Sequence, residues 1–128
     1  MRPRTFVYQF SPRDFERSLQ FYREWLGLEL IRQWSRTTDT GALLRAGDGA
    51  QVELINPPQG QTYDGPAPAN VRLLFEVDSA DDEFARLSKY PLTIVEPPTD
   101  RTWGHRSFRI RDPDGVLVTL YQHLATPA

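Results

Sequence analysis

The chain has no cysteine, and its 128 residues include only two histidines and one methionine. Without cysteine there is no disulfide, no thiolate nucleophile and no thiolate metal site. No apolar run approaches membrane-spanning length, so no transmembrane helix is expected. Met1-Arg2-Pro3-Arg4 leads into a short alternating stretch rather than an apolar one. That argues against a signal peptide and makes a cytoplasmic location the expectation. The formal net charge is only −2, which leaves no cationic surplus for holding nucleic acid. A phosphate-cradling loop is also missing: Gly47-Asp48-Gly49 lies between two strand patterns, not at a strand-to-helix junction. No motif supports a Ser-His-Asp arrangement. With 39% hydrophobic and 25% charged residues, the chain is neither disordered nor membrane-embedded. Its length suits one domain of about 100–150 residues.

What is present is a repeat. Asp14 opens a helical pattern, and Gly47-Asp48-Gly49 later leads into Gln51-Val52-Glu53-Leu54. In the second half Asp78 stands at the start of a helical pattern, and Asp112-Pro113-Asp114-Gly115 leads into Leu117-Val118-Thr119-Leu120. A period of roughly 60 residues implies two copies of one supersecondary unit.

Alternating β-branched and aromatic residues predict strands over 5–10, 28–34, 41–46 and 50–55 in the first copy. In the second they predict 71–77, 92–95, 107–111 and 116–121. The first helix is expected to start at Ser11-Pro12-Arg13-Asp14, with Ser11 as cap and Pro12 at the first helical position. Its apolar stripe is Phe15, Leu19, Tyr22 and Leu26, and Gly27 ends it. The second helix starts at Ser79 and stops by Pro91. Each half reads βαβββ, an α+β fold. The expected organisation is one domain over residues 1–128, with module one at about 1–56, a Pro- and Gly-rich linker at 57–70, and module two at about 71–124.

Helix stripes need an apolar sheet face, so Val52, Leu54, Val118 and Leu120 are assigned to the helix side. Glu53, Leu117, Thr119 and Tyr121 then line the opposite, concave face, and Val7, Gln9, Val71, Leu73 and Phe75 are expected to join them. Such a wall, apolar with a few polar groups, suits a small organic ligand.

Phe21-Tyr22-Arg23-Glu24-Trp25-Leu26-Gly27-Leu28, the preceding Arg17-Ser18-Leu19, and Asp112-Pro113-Asp114-Gly115 with its following strand resemble the vicinal oxygen chelate superfamily. This is the group of glyoxalases, bleomycin-resistance proteins and extradiol dioxygenases. The stretch from Trp103 to Phe108 is most similar to the bleomycin-resistance-like branch. The resemblance implies paired βαβββ modules forming a curved mixed sheet, helices outside, a concave ligand cavity and a homodimer. In metal-using members each module supplies two ligands, and the matching positions here are Val7, Glu53, Val71 and Thr119. Only Glu53 is a metal-binding side chain, whereas a catalytic divalent ion generally needs about three protein ligands. The resemblance therefore predicts no bound cofactor, with Glu53 the sole retained ligand should a divalent metal bind.

The ligand-binding candidates are Gln9, Trp34, Glu53, Phe75, Trp103, His105, Thr119 and Tyr121. Glu53 is also the candidate general base, as a carboxylate on an apolar wall. Gln9 and Thr119 would orient a ligand by hydrogen bonding, and Trp34, Trp103 and Tyr121 would stack on it. His105 is placed in a loop and His123 beyond the last strand. Asp112 and Asp114 are read as turn chemistry. Arg101, Arg106, Arg109 and Arg111 are read as a solvated face. The expected function is sequestration of a drug or metabolite. Two alternatives are a lyase, isomerase or dioxygenase of the same superfamily, and a structural or partner-binding module.

Overall fold

The structure is a computed structural model and describes residues 1–125. The chain forms two compact units, Met1–Ala69 and Asn70–Ala128. The first contains β1 (Phe6–Phe10), α1 (Phe15–Leu19), a π-helical segment (Gln20–Trp25), β2 (Glu29–Ser35), β3 (Thr40–Arg45) and β4 (Ala50–Asn56). The second contains β5 (Arg72–Glu76), α2 (Ala80–Leu87), β6 (Thr93–Asp100), β7 (His105–Arg111) and β8 (Leu117–His123). Both units have the expected βαβββ order, and the fold is α+β.

Each unit is a four-stranded mixed sheet, in the orders β1-β4-β3-β2 and β5-β8-β7-β6. The first and last strands of each unit pair in parallel, and the remaining neighbours are antiparallel. In the first unit Phe10, Leu19, Tyr22, Ala42, Leu44, Val52 and Leu54 are buried, and Phe10 meets the Tyr22 ring edge-on at 5.7 Å. In the second unit the buried set includes Ala80, Leu87, Phe108, Ile110, Val118 and Leu120, and Phe84 of α2 meets Phe108 edge-on at 5.3 Å. These contacts fix one face of each sheet as the helix face. The opposite face of each sheet is its distal face.

The first helix departs from expectation at both ends. Asp14, not Ser11, is its cap: it is extended (φ −123°, ψ 100°) and its carboxylate accepts from the Arg17 N–H at 3.2 Å. Ser11 Oγ instead donates to the Ile55 carbonyl at 2.5 Å, so its side chain tethers β4 rather than starting a helix. Beyond Leu19 the ladder widens, and the Leu26 N–H reaches the Phe21 carbonyl five residues back at 2.8 Å. The wider turn buries Phe21 and Tyr22 together while leaving Leu26 half-exposed, which ends the simple stripe. Gly27 closes the segment at φ +86°, the left-handed geometry expected of it. The second helix starts as expected, with Ser79 Oγ accepting from the Asp82 N–H at 3.1 Å.

Both second strands carry a bulge at the same place, between Leu30 and Arg32 in β2 and between Ile94 and Glu96 in β6. Leu30 pairs with buried Leu44, yet Arg32 pairs with distal Leu43. Ile94 pairs with buried Ile110, yet Glu96 pairs with Arg109. Residues two apart, which alternation would keep together, are thus sent to opposite faces.

Three expectations about the second unit are corrected. β6 runs past Val95 to Asp100, because its bulges accommodate Pro97 and Pro98. β7 begins at His105 and β8 ends at His123, so both histidines lie on strands and not in loops. Leu73 and Phe75 pair with Val118 and Leu120, which puts them on the helix face. Phe75 is therefore not on the distal face; Arg72, Leu74 and Glu76 are, and Val71 precedes the strand.

Arg106 ties α2 to the sheet edge, reaching Asp81 at 2.8 Å and Asp100 at 2.7 Å. The Arg106 hydrogen bond holds the Asp100 carboxyl below its ordinary value despite the opposing effect of desolvation, and the guanidinium is correspondingly raised. A depressed carboxyl favours folding above its unfolded value and loses that contribution as pH falls through the folded one. NMR titration of Asp100 is expected to give a midpoint below the usual aspartate value, moving up in Arg106→Gln; identical midpoints would remove the pairing.

The Asp112 turn behaves as expected. Its Oδ1 accepts from the N–H groups of Asp114 at 2.9 Å and Val116 at 2.8 Å, and Gly115 supplies φ +89°. Because the Val116 bond is buried, Asp112→Ala should lose about 1–3 kcal/mol of stability in urea unfolding. An unchanged midpoint would show that the turn does not depend on this carboxylate.

Candidate functional site

The parallel β1–β4 register places Gln9 directly beside Glu53 on the distal face of the first unit. Gln9 Nε2 donates to Glu53 Oε1 at 2.6 Å, so this carboxylate has a neutral amide partner. Val7 shares the face one pair further along, beside Gln51. On β2, Trp34 pairs with Gly41 and its indole lies directly on that glycine, where a Cβ would collide with the ring. The indole N–H donates to Asp39 Oδ1 at 2.7 Å. Arg32 and Arg36 each place a guanidinium carbon 5.1 Å from the Trp34 ring centroid. Asp39 also lies 3.9 Å from Arg36. Trp34 is thus held by a hydrogen bond, a glycine seat and two cations.

In the second unit Thr119 is flanked by Leu74 on β5 and Arg109 on β7. Tyr121 stacks on His105, with centroids 4.5 Å apart and planes 18° apart. His123 meets both rings edge-on and approaches Glu76 Oε1 at 3.2 Å. Arg101 pairs with Glu96 and donates from Nε to Ser107 Oγ at 3.0 Å. Arg109 Nε lies 3.3 Å from Glu96 Oε1.

The sequence candidates are therefore distributed unevenly. Gln9, Trp34 and Glu53 share the distal face of the first sheet, while Thr119, Tyr121 and His105 share that of the second. Trp103 sits exposed in the turn before β7, without a ring partner among the described residues. Phe75 is on the opposite face. Two sets were missed. Arg32 was hidden by the β2 bulge, and Arg36 lies just past the end of that strand. Glu96, Arg101 and Arg109 were hidden because the arginine-rich segment is not one solvated face: Arg106 turns toward α2, Arg109 and Arg111 lie on the distal face, and Arg101 is only 14% exposed. The His105, Ser107, Arg109, Arg111 alternation was the available signal.

Two hollows of about 390 and 360 Å³ lie elsewhere on the first unit. One is lined by Arg17, Gln20, Arg23 and Gln33, the other by Asp14, Phe15, Asn56 and Tyr63.

A sequence model of the Glyoxalase/Bleomycin resistance protein/Dioxygenase superfamily matches residues 7–120. The chain belongs to this superfamily. It is 28% identical over 120 residues to the uncharacterized protein YraH of Bacillus subtilis, covering 87% of this chain and 91% of that one. Its fold is similar to that of TnmS3, an antibiotic binding protein from Streptomyces sp. CB03234 (TM-score 0.75, 23% identity, 93% and 94% of the two chains). It is likewise similar to the trypanothione-dependent glyoxalase I of Leishmania major (TM-score 0.72, 23% identity, 94% and 87%).

The donor set does not fit the metal centre of the family's metal-using members. By register the second-unit counterpart of Val7 is Arg72, not Val71 as expected; Val7 is aliphatic, Arg72 is a cation, Thr119 is a neutral hydroxyl and Glu53 is bound to Gln9. Among the described residues no group of three or more His, Cys, Asp or Glu side chains is placed to hold an ion.

Gly41→Ala should unseat the indole. The expected result is loss of the Trp34 contribution to near-ultraviolet circular dichroism with the far-ultraviolet spectrum kept. An unchanged near-ultraviolet spectrum would show that the ring does not depend on this seat.

Proposed function

We propose that the protein binds a small, partly aromatic organic molecule on the distal sheet faces and sequesters it, without a metal and without turnover. The observation that carries this reading is that one face of the first sheet bears both the fixed indole of Trp34, on β2, and the hydrogen-bonded Gln9–Glu53 pair, on β1 and β4 across the intervening strand: a stacking platform and oriented polar groups on one surface, as in small-molecule sites. The antibiotic-binding relative TnmS3 supports the same reading. Because the family match runs across both units, we read them as one functional domain, acting as a cytoplasmic homodimer. On the second sheet, taken by itself, Thr119, Tyr121 and His105 share the distal face.

An enzymatic reading keeps Glu53 as general base, with its hydrogen bond to Gln9 as the positioning contact. Two measurements separate the readings. After incubation with Zn, Ni, Mn or Fe(II) and desalting, the protein should retain far less than one metal per chain. In tryptophan-fluorescence screening against planar compounds, Trp34→Ala should weaken any hit at least about tenfold, the scale of a lost stacking contact. A stoichiometric metal that is lost in Glu53→Gln would replace the binding reading with the enzymatic one.

A further inference from the structure

The distal face of the second sheet is cationic in a chain whose formal net charge is −2. Register places Arg72, Arg109 and Arg111 on it, with Arg101 beside Ser107, against only Glu76 and Glu96. Glu76 meets His123, which counts as neutral at pH 7, so it offsets at most one of the four guanidiniums, and Glu96 has two claimants. Arg101, 14% exposed, holds Glu96 through Nη2 and Ser107 through Nε. Arg109 Nε is ion-paired with the same Glu96 oxygen at 3.3 Å, but this buried nitrogen makes no hydrogen bond among the described residues.

One carboxylate cannot neutralise two guanidiniums. Arg101 has the better geometry and the deeper burial, so the uncompensated charge belongs to Arg109. A guanidinium held partly out of water without hydrogen bonds is costly. An incoming carboxylate relieves that cost through the planar fork, which leaves two parallel donors for an anion. Around this charge the sheet offers the Thr119 hydroxyl directly across from Arg109, Leu74 beyond it, and the stacked Tyr121–His105 pair one position along.

We infer that this face recognises an organic anion, a planar molecule bearing a carboxylate or an ionised phenol or enol, and that Arg109 takes the anionic group. The inference rests on the small-molecule reading above and names the ligand's charge.

The test uses three probes that share one ring system: 2-naphthoate, 2-naphthamide and 2-naphthylmethylammonium. Each is titrated into the full-length protein, followed by tryptophan fluorescence and by amide shifts in a ¹⁵N-labelled sample. Naphthoate should bind at least about tenfold more tightly than the amide, with shifts concentrated in β7 and β8. Arg109→Gln should erase that preference, Arg109→Lys should keep part of it, and Arg17→Gln, exposed on α1 of the other unit, should leave it intact. Should Arg109→Gln not fold, Arg109→Lys carries the residue assignment and the unsubstituted protein carries the charge. Equal binding of all three probes, or preference for the ammonium, overturns the inference and leaves the binding reading standing. A carboxylate preference that survives loss of Arg109 overturns the assignment to that residue. Binding of none of the three overturns both.

Discussion

Everything on the two distal faces depends on one pairing, the parallel ladder between the first and last strand of each unit. It brings residues about 44 positions apart into register and decides which side chain of each strand looks toward the helix. With side-chain period two, a slip of a single residue would exchange the buried and distal sets wholesale. In the first unit the ladder puts Gln9 against Glu53, which gives the carboxylate its partner. In the second it puts Leu74, not Leu73 or Phe75, beside Thr119.

The fold was legible because it is written in local signals. Gly27, Ser79 and the Asp112–Gly115 turn each carry chemistry that only one backbone geometry satisfies, and the strand alternation at Val52, Leu54, Val118 and Leu120 needed no tertiary information. The faces of β4 and β8 followed from that alternation directly. The errors had other sources. Phe75 is misplaced when Val71 is matched to Val7, whereas the strand's own alternation, with Arg72 and Glu76 on one face and Leu73 and Phe75 on the other, agrees with its partner strand. Ser11 was read as a cap because nothing in the sequence says that Ile55 will claim its hydroxyl.

The candidate site was less legible for a related reason. Bulges reverse the phase of β2 and β6 part-way along, just ahead of Arg32 in one and Glu96 in the other. Arg32 shares parity with Leu30, and Glu96 with Ile94, yet each leaves the core side. The arginines of β7 posed the complementary difficulty: Arg106 and Arg109 stand three apart and so face opposite ways, one toward helix α2 and the other toward Thr119. A linear run of charge was read as one surface when a strand had divided it between two.

The seat of Trp34 on Gly41 has a consequence for selectivity. Its indole is immobilised before any ligand arrives, by Asp39 at one edge and two guanidiniums nearby. Little rotamer freedom is left to lose on association, so a flat guest meets a surface whose ordering is already complete. The same stiffness works against guests of another shape, since a ring locked over a backbone cannot tilt to follow a curved or branched molecule. Plastic sites built from methionine accept many partners by repacking. With a single methionine at position 1 and an anchored indole, this chain has the opposite disposition: a narrow range of shapes, each met without rearrangement.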